Sequence, residues 1–289
     1  MDLSRKAILR AAARTANRVT VTPVDRNLLR LHPSLRSAVA GKVILVTGAS
    51  SGIGRATSVR LGAAGATVLL VARSDDLLSE VRAEIEGTGG RAYVYSCDLA
   101  DLEKVDQLVE TVLREHGHVD VLVNNAGRSI RRKVANSRDR FHDFERPMQL
   151  NYFAAVRLTM GLLPVMSDRR SGQIVNISSW AVQVRPARFS GYTASKAALE
   201  AWSDSVQGEV LDDGIVFTNV RMPLVRTPMI EPTKVYRRIP ALTPEQAATV
   251  VCDAIVSRAR RVSPMAARML SITEAISPSM GDRIRQSAV

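Results

Sequence analysis

Tyr192 and Lys196, in the run Tyr-Thr-Ala-Ser-Lys, stand four residues apart. On a helix that spacing places both side chains on one face, where an ammonium can stabilise a phenolate. A tyrosine exchanges protons with a substrate oxygen near neutral pH only if its pKa falls well below the ordinary value of about 10. The lysine is expected to supply that push, although Tyr-x-x-x-Lys alone is also common helix-surface decoration. Upstream lies Thr47-Gly48-Ala49-Ser50-Ser51-Gly52-Ile53-Gly54. Glycines at 48, 52 and 54 let the backbone turn tightly and approach a pyrophosphate, and Ser50, Ser51 and Ile53 stand where a helix N-terminus meets its charge. The spacing departs from the usual Gly-x-Gly-x-x-Gly. Its context is right for a dinucleotide: the apolar run Val43-Ile44-Leu45-Val46 leads into it and a helical pattern begins at Ile53.

An acidic residue at the end of the second strand would bind the adenosine ribose hydroxyls of NAD. Here the chain reads Val71-Ala72-Arg73-Ser74. Arg73, helped by Ser51 or Arg55, suits a 2′-phosphate instead, so NADP(H) is the expected cofactor. Asp75 and Asp76 keep the NAD alternative open, as does a simply solvated Arg73.

These residues need a scaffold that brings strand ends together. From Gly41 onward short apolar strands alternate with helical stretches, the pattern of a parallel sheet covered on both faces. Strands are expected near Val43–Thr47, Thr67–Ala72, Ala92–Ser96, Val121–Asn124, Gln173–Ile177 and Phe217–Val220. The fold class is therefore α/β, a Rossmann-type doubly wound parallel sheet in a single domain over residues 41–289, preceded by a basic extension over 1–40. That extension holds eight Lys/Arg against Asp2 and Asp25 and shows no strand alternation. Its stretch Leu3 to Ala12 fits a helix with one basic side, suited to peripheral contact with a membrane surface or to a solvated or subunit-contacting arm.

With 289 residues and 46% hydrophobic content the chain can bury a sizeable core. A net charge of +12 implies anionic company: nucleic acid, phospholipid or an anionic substrate. Only 4% of residues are aromatic, none interleaved in the basic clusters, which argues against nucleic acid. Cys97 and Cys252 lie far apart, fitting buried thiols in a reducing compartment. No apolar run reaches transmembrane length and the N-terminus lacks a secretory pattern, so a cytoplasmic protein, at most peripheral at the inner membrane surface, is expected. His32, His116, His118 and His142 form no metal-ligand spacing.

With the catalytic pair and glycine turn in hand, residues 41–230 resemble the short-chain dehydrogenase/reductase family. Cys97-Asp98-Leu99 matches the family's segment beside the adenine, and Asn124-Asn125-Ala126-Gly127 its motif after the fourth strand. The resemblance implies that Asp98, Leu99, Asn125, Ala126, Gly127 and Thr227 contact the cofactor. It also implies a tetrad of Asn151, Ser179, Tyr192 and Lys196, with Asn151 supporting a proton-relay water, Lys196 also holding the nicotinamide ribose, and Ser179 standing 13 residues before Tyr192. Ser178 is a neighbouring alternative. A homodimer or homotetramer, paired through the helices carrying Asn151 and Tyr192, is implied in the same way.

Four further segments are similar to bacterial fatty acyl-CoA reductases that make aldehydes and to related actinobacterial lipid reductases: residues 124–132, 139–146, 148–153 and 222–229. Met222-Pro223 replaces the wider family's Pro-Gly, as that branch also does. The likeness implies NADPH-dependent reduction of an acyl-CoA thioester. The rivals are a ketoreductase acting on a 3-oxoacyl lipid or bulky ketone, and a membrane- or nucleic-acid-associated binding protein on the same fold. Residues 128–140 carry six basic side chains against Asp139; there Arg131 and Arg132 are candidates for the CoA phosphates, or members of a solvated loop. His142, Trp180 and Phe189 are candidates for the substrate channel, with ordinary packing the alternative.

Overall fold

The strand Val43–Thr47 (β2) is a run of β-branched and leucine residues with no charge, and four of its five residues are fully buried. Such a strand needs cover on both faces, which a parallel sheet between helical layers provides. The computed structural model describes residues 19–21, 33–231 and 239–265, with positions 233, 236, 267–269, 271, 279 and 282.

Eight strands form one sheet: β1 (Val19–Val21), β2, β3 (Thr67–Ala72), β4 (Arg91–Ser96), β5 (Val121–Asn124), β6 (Gly172–Ser179), β7 (Ile215–Met222) and β8 (Arg261–Pro264). Their order is β1-β8-β7-β6-β5-β2-β3-β4. Strands β2 to β8 run parallel; β1 pairs antiparallel with β8. The helices are α1 (Leu35–Val39), α2 (Gly52–Ala63), α3 (Asp75–Gly87), α4 (Leu102–His116), α5 (His142–Met148), α6 (Ala154–Asp168), α7 (Ala181–Val184), α8 (Ser190–Glu209) and α9 (Pro244–Ser257). Among the described residues no helix is long and apolar enough to cross a membrane.

Alternation along the strands divides the core. Ile44, Val46, Val68, Leu70, Val175 and Val220 face Leu61 of α2, Val81 and Ile85 of α3, and Val251 of α9. Leu45, Leu69, Leu122, Ile174 and Phe217 face Val105 and Val112 of α4, Leu158 and Leu162 of α6, and Val206 of α8. Each such side chain contributes about 1.5–3 kcal/mol on leaving water. A polar ladder crosses this apolar sheet. Asn124 Nδ2 donates to Asn176 Oδ1 (3.0 Å) and Asn176 Nδ2 to Asn219 Oδ1 (3.1 Å), at positions already paired by the backbone. A one-residue slip would orphan buried amides, so the ladder pins the register that carries Ser179 and Met222 to the sheet's carboxyl edge.

The six expected strands are present, with β6 and β7 running further than the pattern indicated. Two findings correct the expectations. Residues 1–40 are not only an appendage: β1 extends the sheet, and α1, capped by Ser34, buries Val39 completely. A three-residue strand is too short to leave an alternation to read. Strand β8 was also unforeseen, since four residues in a basic stretch give no periodicity. The basic helix expected over Leu3 to Ala12 lies outside the described residues.

Candidate active site

The chain order reverses between β2 and β5, and a cleft of about 740 Å³ opens at the carboxyl ends of these strands and their neighbours. Gly48, Ser50, Ser51, Gly52 and Ile53 line it. Gly48 has φ +65°, and a Cβ there would sit 2.9 Å from Asn125 Nδ2. At Gly54, behind the wall, a Cβ would lie 2.1 Å from the Gly48 carbonyl oxygen. Thr47 Oγ1 accepts from the amides of Asn125 (2.9 Å) and Ala126 (3.0 Å), tying the loop after β5 to the glycine turn. Ser51 at the N-cap of α2 makes no side-chain capping bond, so the first-turn amides are left for an anion.

Arg73 and Ser74 line the cleft at the end of β3, and Asp98 and Leu99 at the end of β4. Arg73 makes no ion pair among the described residues. Asp75 and Asp76 occupy the first turn of α3, where they complement its dipole, and do not line the cleft. Arg55, an expected helper of Arg73, is paired with Glu84 at 2.7 Å instead. These donors and the glycine cradle fit a dinucleotide carrying an extra phosphate.

Asn125, Ala126, Gly127 and Thr227 complete this half of the wall. Asn151 sits in a π turn, Gln149–Phe153, between α5 and α6 and is 1% exposed. Its Oδ1 accepts from the Arg128 amide (2.7 Å) while Nδ2 donates to the Arg128 carbonyl (2.9 Å) and to Ser195 Oγ (2.8 Å). The Asn151 side chain therefore braces the loop that follows β5.

Ser179 ends β6 and is hydrogen-bonded to Tyr192. Ser178, the neighbouring alternative, donates instead to Glu200 Oε1, two turns further along α8 from Tyr192. Burial raises the Tyr192 pKa, and the bond to Ser179 pulls it back down. Lys196 Nζ donates to the Ile177 carbonyl at 2.7 Å, and burial pushes its own pKa down to about 8 against the opposing field of Glu200.

The other half of the cleft is lined by Trp180, Pro186, Phe189, Met229, Ile230 and Tyr236. Phe189 stands between Tyr236, stacked at 6.4 Å, and Tyr192, edge-on at 6.4 Å. Tyr236 was missed; its only signal in the sequence is an aromatic shortly after Thr227. Arg131, Arg132 and His142 do not line the cleft. Arg132 Nε donates to Asp143 Oδ2 (2.6 Å), Arg140 reaches the same oxygen (3.1 Å), and His142 lies 3.3 Å from Oδ1. A buried carboxylate on α5 gathers these side chains for structure, a contact between loop and helix that spacing does not reveal. Arg131 is exposed, close enough to Tyr236 to lower its pKa against burial.

A family model described as short chain dehydrogenase matches residues 42–236. A fatty acyl-CoA reductase of Acinetobacter baylyi is 54% identical over 253 residues, 88% of this chain and 86% of the relative. A fatty acyl-CoA reductase of Mycobacterium tuberculosis is 44% identical over 267 residues, 91% and 90% of the two chains. Among solved structures, a short-chain dehydrogenase from Streptomyces avermitilis has a TM-score of 0.72 at 34% identity, covering 83% of this chain and 93% of that one. A metagenomic short-chain oxidoreductase in complex with NADP has a TM-score of 0.66 at 32% identity, covering 76% and 92%. The cleft at the switch point and these likenesses agree, and the chain belongs to the short-chain dehydrogenase/reductase family of oxidoreductases.

Proposed function

We propose that this protein is an NADPH-dependent reductase that converts a long-chain fatty acyl-CoA thioester to the aldehyde, with Tyr192 as the acid. The observation that carries it is one continuous cleft, polar and glycine-lined at one end and aromatic at the other, with Tyr192 and Ser179 among its lining residues. The 54% identity to a fatty acyl-CoA reductase supports the substrate class.

NADPH, when bound, supplies the hydride to the carbonyl carbon. The glycine turn and the first amides of α2 would hold its pyrophosphate, Arg73 and Ser74 its 2′-phosphate, and Lys196 its nicotinamide ribose. Burial keeps the Tyr192 phenol protonated through neutral pH, the state an acid requires. Tyr192 gives that proton to the developing oxyanion while the Ser179 hydroxyl donates to the same oxygen. The thiohemiacetal so formed collapses to aldehyde and free CoA thiol, with no bond to the enzyme. Neither cysteine is activated as a nucleophile: burial raises the Cys97 pKa and pushes that of Cys252 up to about 12. Phe189, Tyr236 and Trp180 exclude water and offer apolar surface to the acyl chain.

The test follows NADPH consumption with a long-chain acyl-CoA and titrates released thiol in parallel. Equal cofactor loss and thiol release, reduced at least about a hundredfold by Tyr192→Phe, is the expected result. Cofactor loss with 3-oxoacyl or ketone substrates alone moves the protein to ketone reduction. No NADPH-dependent turnover, with salt-sensitive binding to membranes or nucleic acid, would make it a binding protein.

A further inference from the structure

Helix α8 presents three buried or cleft-lining polar side chains at intervals of four, and each meets the last strand turns of β6. Tyr192 bonds Ser179, Lys196 Nζ donates to the Ile177 carbonyl at 2.7 Å, and Glu200 accepts from Ser178. Two of the three have roles in the reduction; Glu200 has none, yet its side chain is 5% exposed. Arg221 on β7 grips it from behind, with Nη2 2.6 Å from Oε2 and Nε 3.1 Å from Oε1. Burying a carboxylate and a guanidinium is expensive unless both are fully paired, and a well-packed apolar pair would stabilise at least as well. The ion pair is aligned with its negative end four residues from Lys196, and that orientation is what an apolar substitute would lack.

We propose that Glu200 is a positioning residue for catalysis: fixed by Arg221 and Ser178 one helical turn along α8 from Lys196, its carboxylate keeps that lysine in the ammonium form. The surroundings leave this work to Glu200. On α8 the other titratable neighbour is the Tyr192 phenol. Strand β6 offers the Ile177 carbonyl and two serine hydroxyls, and the π turn offers the Asn151 amide. The loop after β5 brings Gly127, whose added Cβ would lie 3.4 Å from Nζ, and then the cationic Arg128 lining the same cleft. Arg221 is a second cation, turned onto Glu200. Burial already lowers the Lys196 pKa to about 8, and Glu200 opposes that shift. Removing the carboxylate therefore lets the lysine lose its proton at lower pH, and the alkaline limb of turnover moves the same way. The assignment rests on the reductase reading for its purpose, but its first readout does not.

The chain has six lysines, few enough to follow individually by NMR in protein labelled with 13C at lysine Cε, using Lys196→Arg to assign the signal. Glu200→Gln keeps the shape and the hydrogen-bond acceptor but removes the charge. Its Lys196 midpoint is expected to fall by about one pH unit or more. Glu200→Asp withdraws the charge by one methylene and is expected to fall between Gln and wild type, so the comparison survives if the Gln protein does not fold. The alkaline limb of kcat follows the midpoint in each protein, while KM for acyl-CoA stays near wild type. The same Lys196 midpoint in wild type and in the folded variants overturns the proposal, whatever happens to activity. Shifted midpoints in a protein that reduces no substrate keep the assignment and remove the reductase reading.

Discussion

The two halves of the cleft are built by different means. In the half proposed for the cofactor, Gly48, Arg73, Asp98 and Gly127 each stand within three residues of the end of β2, β3, β4 or β5. In the half proposed for the substrate, Trp180 directly follows β6, but Phe189 comes ten residues after that strand, and Met229 and Tyr236 come seven and fourteen after β7. A parallel sheet converts sequence position into spatial position close to its strand ends, because the backbone register is shared by every strand. Beyond a few residues that translation fades, and contacts between loops decide which side chain faces the cavity. Of the residues expected at the substrate, Trp180 and Phe189 line the cleft while Arg131, Arg132 and His142 do not, and Tyr236 lines it unforeseen.

The largest expected effect breaks the backbone-built half. Gly54→Ala puts a methyl 2.1 Å from the Gly48 oxygen and 2.5 Å from Asn125 Nδ2. Such crowding costs about 1–3 kcal/mol, so NADPH affinity in a fluorescence titration drops about 10- to 100-fold while circular dichroism still reports a folded protein. Unchanged affinity would mean that close backbone approach does not shape this half.

Arg73→Ala sharpens the same half. A charge-assisted bond to a 2′-phosphate contributes about 1.5–3 kcal/mol, so KM for NADPH rises about tenfold or more while KM for NADH hardly moves. A parallel rise for both cofactors would place the arginine outside the phosphate site. On the substrate half, Tyr236→Ala removes one ring of the stack with Phe189. Aromatic pairs contribute about 0.5–1.5 kcal/mol, and KM for a long-chain acyl-CoA is expected to rise about 3- to 10-fold with KM for NADPH unchanged. An equal change in both would dissolve the division between the halves.

The smallest effect concerns the loop behind the substrate half. The Arg140 bond first, and then Arg132, holds the Asp143 carboxyl below the usual carboxylate range. A carboxyl with a depressed folded pKa stabilises at pH above its unfolded value of about 3.9 and loses that contribution as pH falls through the folded value. The protection of amides 128–146 against hydrogen exchange, taken relative to the intrinsic rate at each pH, should therefore fall below about pH 4 in the wild type. In Asp143→Asn that protection should already be low at neutral pH and change little with acid. Identical profiles would show that Asp143 does not tether the loop.

Much of the molecule was legible because its signals are local. The apolar runs of β2, β3 and β5 gave strands at their observed positions, since strands buried on both faces read as nearly continuous apolar runs. The glycines at 48 and 54 announced a close backbone approach, and the four-residue spacing of Tyr192 and Lys196 needed only a helix to become one face. Resemblance of the short motifs then placed Asn125, Asn151 and Ser179.

By itself, then, the amino-acid order determined the α/β pattern, the tight glycine turn and the shared helix face of Tyr192 and Lys196, because propensity, periodicity and spacing act over a few residues of chain. Only the tertiary structure decided that Val19–Val21 closes the sheet against β8, that Asp143 captures Arg132 and Arg140, that Asn151 braces the Arg128 backbone, and that Arg221 pairs with Glu200. Most of those contacts join residues on separate elements, up to more than two hundred positions apart in the case of β1 and β8. Their energies come from burial and pairing, which exist only once the layers have closed.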